Sequence, residues 1–226
     1  MTKNINFRIQ IQIGKLYKAE PKLTVDLVQL MAAANDFITI IEANDLIQQR
    51  DVPPQDAFFE AHGLYFFRLC LGHLHEIMRT LKKLRTEYPH ILAKASPGLH
   101  MLYDRISTTT APFEKMISRV RNKSVFHYDQ PEIARVLKQR GEDWGGDVLL
   151  RGKQKDSRFV IADKIVFSSI YKAFKLPHET EEERGKAIIP VIDKLFPLIV
   201  DINNYVLNLL FALRETYPQI IGVLEE

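Results

Sequence analysis

The first apolar residues of the chain alternate with polar ones. Single residues separate five apolar side chains, namely Ile5, Phe7, Ile9, Ile11 and Ile13. A period of two is typical of a β-strand, whose side chains point alternately to its two faces. The pattern predicts a strand at the N-terminus that ends at Gly14.

After this strand the apolar residues recur at helical spacing. The spacing predicts a helix from Leu23 to Gln49, with Thr24 and Asp26 favouring its start, and a second, very apolar helix over 55–88. The prolines at 53 and 54 separate these two helices, and Pro89 ends the second one. A shorter helix is predicted over 99–107.

The middle of the chain combines helices with the only predicted hairpin. Pro112 stands at the first position of a helix that ends by Pro131, and a short helix follows to Arg140. Two apolar segments within 147–161 flank a polar turn, which predicts a small β-hairpin.

The C-terminal part of the chain is again helical in pattern. A helix is predicted over 163–174, and a long apolar helix ends at Tyr217, with Pro190 and Pro197 kinking or dividing it. No linker is recognisable, so we predict a mainly α fold in a single domain, 1–226. One short sequence recurs: Leu84 to Pro89 resembles Leu213 to Pro218, which indicates a shared way of ending a helix.

Composition places the chain among soluble globular proteins. It has 226 residues, 46% apolar and 26% charged, and a net charge of +3, which is compatible with a nucleic-acid partner. The single cysteine, Cys70, fits a reducing compartment, and no signal peptide is recognisable, so a cytoplasmic location is expected. Charged residues interrupt the apolar C-terminal third, so no membrane association is expected; they are Asp193, Lys194 and Asp201.

The richest chemistry lies in the segment 121–129, Arg-Asn-Lys-Ser-Val-Phe-His-Tyr-Asp. Arg121 offers a planar fork of donors for a phosphate, and His127 titrates near neutral pH. The segment resembles the signature of the HEPN superfamily, in which an Arg and a polar residue precede a His by four to six intervening residues. Here five residues intervene and the polar residue is Asn122. The full string is most similar to the abortive-infection branch of that superfamily.

Two other Arg–His pairs also fit the spacing of four to six intervening residues, with four each. Arg68 and His73 lack the polar neighbour, because Leu69 follows the arginine. Between Arg85 and His90 stands Pro89, which breaks a helix. Only the segment that begins at Arg121 combines the spacing, the polar neighbour and a helical context.

The resemblance implies an α-helical bundle that dimerises and cleaves RNA without a metal or another cofactor. In that mechanism the RNA's own 2′-hydroxyl attacks the phosphodiester. His127 would transfer a proton, Arg121 would hold the phosphate, and Asn122 would orient one of them. Supporting contacts to RNA are expected from Lys123, Tyr128 and Arg68. The superfamily also implies a toxin–antitoxin or phage-defence role, with an antitoxin protein as a further partner.

Alternative interpretations remain open from the sequence. The segment 121–129 also fits an exposed, charged helix end that His127 caps, in a non-catalytic helical protein that binds RNA, nucleotide or another protein. The pair His73 and His75 lies near Glu76, but a helical metal site needs ligands three or four residues apart and a second pair on another helix. No metal site is therefore predicted.

Overall fold

The computed structural model describes residues 7–48, 57–121, 175 and 181–225, which are mainly helical, as predicted. Within these residues the elements follow one another as β1 (Phe7–Ile11), α1 (Ile13–Ala19), α2 (Pro21–Gln48), α3 (Ala57–Glu87), α4 (Pro89–Leu92), α5 (Pro97–Thr110), a 3-10 turn (Ala111–Phe113), α6 (Glu114–Val120), α7 (Glu181–Leu195), α8 (Leu198–Thr216) and β2 (Ile221–Glu225).

The predicted N-terminal strand is present and has a partner that the sequence did not reveal. β1 pairs antiparallel with β2, in a register that sets Phe7 opposite Glu225 and Ile11 opposite Ile221. The strand ends two residues earlier than its apolar alternation, because the backbone N–H groups of Lys15 and Leu16 bond to the carbonyl of Gln12 and start α1. The hairpin predicted within 147–161 lies outside the described residues.

Proline sets several helix boundaries as expected. Pro89 occupies the first turn of α4, directly after α3 ends. Pro197 lies between α7 and α8, so the long C-terminal helix is divided there, whereas Pro190 lies inside α7. The helices predicted over 131–140 and 163–174 fall outside the described residues.

The chain forms two compact units. The first unit contains Met1–Asn35, Glu76–Thr109 and Leu198–Glu226, and the second contains Asp36–His75 and Thr110–Pro197. Helices α2 and α3 therefore each contribute one part to either unit. That residues 1–226 fold as a single domain stays a prediction.

The core of the first unit is built from the inner faces of its helices. Its buried apolar side chains recur every three or four residues along each helix, for example Leu23, Leu27 and Leu30 on α2 and Ile77, Leu81 and Leu84 on α3. From α8 come Ile202, Tyr205, Leu209 and Leu213. The same periodicity that predicted the helices thus supplies the core.

A carboxylate lies within this apolar core. Asp26 is buried, and its two oxygens accept hydrogen bonds from Lys83 Nζ at 2.7 Å and Tyr88 Oη at 3.2 Å. The expectation that Asp26 helps to start α2 is wrong, since the helix begins at Pro21 and Asp26 lies one turn inside it. Its physical role is to connect α2 to the end of α3, because a buried charge needs a partner.

A second tyrosine makes an analogous bond in the first unit. Tyr217 Oη donates to Glu20 Oε1 at 2.9 Å, at the junction of α1 and α2. Burial, followed by the neighbouring carboxylate, raises the pKa of Tyr88 and that of Tyr217 to about 12. Burial also raises the pKa of Tyr205.

These tyrosines predict a loss of stability in alkali. A phenol whose folded pKa is raised stabilises the fold fully below its unfolded pKa of about 10, and loses that contribution as the pH rises through the folded pKa. We therefore expect the free energy of unfolding, measured in urea, to fall between pH 10 and pH 12. Tyr88→Phe should make this fall shallower; an unchanged slope would contradict the assignment.

Candidate functional site

The start of the candidate site lies at the end of α6, in the second unit. Ile117 and Val120 are buried, so this helix packs its inner face on the core. Arg121 follows directly and keeps helical backbone angles, with its N–H bonded to the carbonyls of Ile117 and Ser118. Its side chain is half-buried. Of the helix that the sequence predicts from Pro112, the described part is a 3-10 turn over Ala111–Phe113 and then α6, which continues into Arg121.

The remaining residues of the segment lie outside the described residues. They are Asn122, Lys123, His127 and Tyr128. The distance between Arg121 and His127 and the surroundings of the imidazole accordingly stay predictions from the sequence.

Arg68, the expected supporting contact to phosphate, is a buried residue of α3 in the same unit as Arg121. Its guanidinium carbon lies 5.3 Å from the centre of the Tyr65 ring. This is a cation–π contact, in which the negative face of the ring attracts the cation. A role of Arg68 toward RNA stays a prediction.

One histidine of α3, His73, lies close to a carboxylate of α2. His73 Nδ1 lies 3.6 Å from Asp36 Oδ2 on α2, both in the second unit. Glu76, which lies in the first unit, pairs instead with Arg79 at 3.4 Å, one turn further along α3. Among the residues that the structure describes, no group of three or more His, Cys, Asp or Glu side chains could hold a metal ion. The His73–Asp36 pair was missed by sequence reasoning, because nothing local in the sequence indicates which residue of α2 lies beside α3.

Cys70 lies on the same stretch of α3 and is buried. Burial raises the pKa of its thiol to about 12. A thiol in such surroundings is protonated at neutral pH and a poor nucleophile. Cys70 therefore acts as a small apolar core residue and not as a reactive group.

Two helical stretches are long and apolar enough to cross a membrane by length and composition, contrary to the expectation that charged residues exclude a span. They are Pro21–Leu46 and Lys186–Thr216, and 44% and 39% of their most apolar windows are buried. Core helices of soluble proteins pass the same test, so this is weak evidence for a membrane. Four exposed residues of the second stretch are large and apolar, namely Ile189, Val200, Leu207 and Phe211.

No protein-family model matches this chain, and no curated protein or solved structure is similar enough to count as a match.

Proposed function

We propose that this protein is a metal-independent endoribonuclease of a toxin–antitoxin or phage-defence system. The observation that carries the proposal is the segment Arg121-Asn122 to His127, in which a fork of donors, an amide and an imidazole follow one another on a predicted helix. The packing of α6 supports it, because the buried Ile117 and Val120 would anchor the helix that presents Arg121. A cytoplasmic location and an antitoxin partner belong to the same proposal.

The proposed chemistry uses the RNA's own nucleophile. His127 removes the proton of the 2′-hydroxyl, whose oxygen then attacks the adjacent phosphorus, and the 5′-oxygen leaves as its bond to phosphorus breaks. The products are a 2′,3′-cyclic phosphate and a 5′-hydroxyl, formed after the leaving oxygen takes up a proton. Arg121 stabilises the charge that grows on the phosphate oxygens. Asn122 orients the imidazole or the phosphate.

Helix geometry indicates that two chains complete the site. Residues 121 and 127 are six positions apart, which places them about 120° from each other around an ideal helix axis. One helix therefore does not present both to the same phosphate. In a homodimer across the helix 112–128, Arg121 of one chain and His127 of the other could reach the same phosphate.

We expect RNA cleavage by the purified protein to continue in excess EDTA. An oligonucleotide with a single deoxyribose at the scissile position should resist cleavage, because the attacking hydroxyl is missing. The matched oligonucleotide with deoxyribose one nucleotide further along should still be cut. Cleavage that stops with EDTA, or that cuts both oligonucleotides equally, would contradict the mechanism.

A different result would favour the non-catalytic interpretation. If the protein cut no RNA but bound RNA or a protein through residues 121–128, the segment would be a binding surface. Protection of these residues in hydrogen exchange on adding the partner would identify that outcome.

A further inference from the structure

The outer face of α8 in the first unit is apolar where a surface helix is normally polar. From Leu198 to Leu213 only four residues are exposed: Val200, Asn204, Leu207 and Phe211. Three of them are large hydrophobic residues. The opposite face of the same helix fills the core, so α8 is apolar on two sides. We call these four residues the α8 stripe.

Helix α5 lies beside α8 in the same unit. Two side-chain bonds hold the helices together, one from Arg105 to Asp201 and one of 3.2 Å from Ser96 to Asn208. The two helices are antiparallel, because the earlier residue, Ser96, bonds to the later residue of α8 and Arg105 bonds to the earlier one. Met101 lies between Ser96 and Arg105 along the chain, one turn from Arg105, and is 71% exposed. Met101 is thus an exposed apolar side chain that lies along the chain between the two residues bonded to α8.

The charges around the α8 stripe favour a neutral, apolar partner. The stripe itself carries no charged side chain before Arg214, and the nearby Arg105 and Asp201 neutralise each other. Polyanions and anionic lipid surfaces are bound through clusters of Lys and Arg, which the stripe lacks. Met and aromatic residues, by contrast, are enriched in the centres of protein interfaces.

The spacing of the stripe points to a helix as the partner. Its members are separated by four, three and four residues, the alternation of the a and d positions in a coiled coil. Leu207 and Val200 then take d positions, and Phe211 and Asn204 take a positions.

We propose that the α8 stripe binds the α8 stripe of a second copy of this chain, with the two helices antiparallel. In this orientation the large Phe211 meets the small Val200 of the second copy, and Asn204 meets Leu207. A parallel pair would instead bring the exposed Arg214 against its own copy, and like charges at such a distance repel. The antiparallel pair is isologous, so it closes as a dimer.

The contact is small, which sets its expected strength. Each copy contributes only the three large apolar residues of the stripe. Interfaces below about 1,200 Å² of buried area are characteristic of weak complexes. We therefore expect association in the micromolar range, about 1–100 μM.

Sedimentation velocity over a concentration series tests the proposal. The mass of the wild-type protein should rise with concentration beyond that of a dimer across the helix 112–128, and Leu207→Lys should abolish this additional rise. Val28→Lys is the matched control, because Val28 lies on the outer face of α2 and is as exposed as Leu207, 44% against 45%. Equal behaviour of the two variants, or a wild-type mass independent of concentration, would overturn the proposal.

Crosslinking tests the same contact without disturbing the apolar side chains. The native Cys70 is buried and protonated, so an introduced surface cysteine is the reactive one. Asn204→Cys should form covalent dimers with a short bismaleimide, and adding Leu207→Lys should prevent this. The control Gln29→Cys, at an exposed site on α2, should form none. Similar crosslinking of both cysteine variants would refute the α8 contact.

These results are separable from those on the proposed ribonuclease. A dimer across the helix 112–128 would persist in Leu207→Lys but would not crosslink through residue 204. A wild-type protein that forms only this dimer and gives no crosslink through residue 204 would overturn the α8 contact and leave the proposed function untouched. Binding of the wild-type protein to phospholipid vesicles, with loss of binding in Leu207→Lys and no self-association, would assign the stripe to a membrane and overturn the dimer.

Discussion

Replacing His127 by alanine is expected to lower the rate of RNA cleavage by about 10²–10⁴-fold, the usual loss on removing a positioned acid–base group. Arg121→Ala should lower it by a similar factor, because the growing phosphate charge loses its planar donor fork. Arg121→Lys keeps the charge but not the fork, so it should restore only part of the rate. Asn122→Ala should cost less, because an orienting group is not consumed in the proton transfer.

The control for these variants lies on the same helix. Arg119 is exposed on α6, two residues before Arg121, so Arg119→Ala removes the same charge without touching the proposed site. It should cut RNA at nearly the wild-type rate, with circular dichroism confirming that every variant is folded. An equal loss in the Arg119 and Arg121 variants would indicate a nonspecific effect of charge. Full activity of His127→Ala would end the proposed mechanism.

The helices were predictable because their signals are local. Pro53, Pro54 and Pro89 separate apolar segments of helical period, and α2 and α3 lie within a few residues of the predicted ranges. Pairing between distant segments was not predictable in this way. The five residues of β2, which begin Ile221-Gly222-Val223, contain no signal for the position of their partner strand. That partner is β1, at the other end of the described chain. A strand's partner is fixed by the fold as a whole and not by its own residues.

The recurring sequence at the ends of α3 and α8 illustrates the same limit. Both helices end at the residue before a tyrosine that precedes proline, so the inferred helix-stop role is confirmed. The sequence did not reveal that Tyr88 and Tyr217 each donate to a carboxylate near the start of α2. The local pattern predicted where the helices end, whereas the bonds depend on which segments meet in three dimensions.

In the candidate site too, local features were predictable and contacts between helices were not. The helical context of Arg121 follows from the spacing of Ile117 and Val120 and is present. The contact between His73 and Asp36 joins residues on different helices and has no local signature. The burial of Asp26 among leucines was not predicted either, since the sequence indicated only a role at the start of a helix.

Asp26 should therefore matter far more to stability than an exposed acid that makes a similar ion pair. The side chain of Asp26 is 3% exposed and bonds to Lys83 and Tyr88, so Asp26→Ala leaves the buried Tyr88 hydroxyl without its acceptor. We expect a cost of about 1.5–3 kcal/mol in the free energy of unfolding, the range for a hydrogen bond to a charged group. Asp26→Asn keeps an acceptor for Tyr88 and should cost less.

Asp104 supplies the matched comparison in the same unit. It accepts a hydrogen bond from Arg85 Nη1 at 3.0 Å, but its side chain is 66% exposed. Water screens such a pair, so Asp104→Ala should cost about 0–1 kcal/mol. Urea unfolding of the three variants at pH 7, followed by circular dichroism, measures the difference. Equal losses for Asp26→Ala and Asp104→Ala would show that burial of Asp26 adds nothing, and that its bonds do not hold α2 to the end of α3.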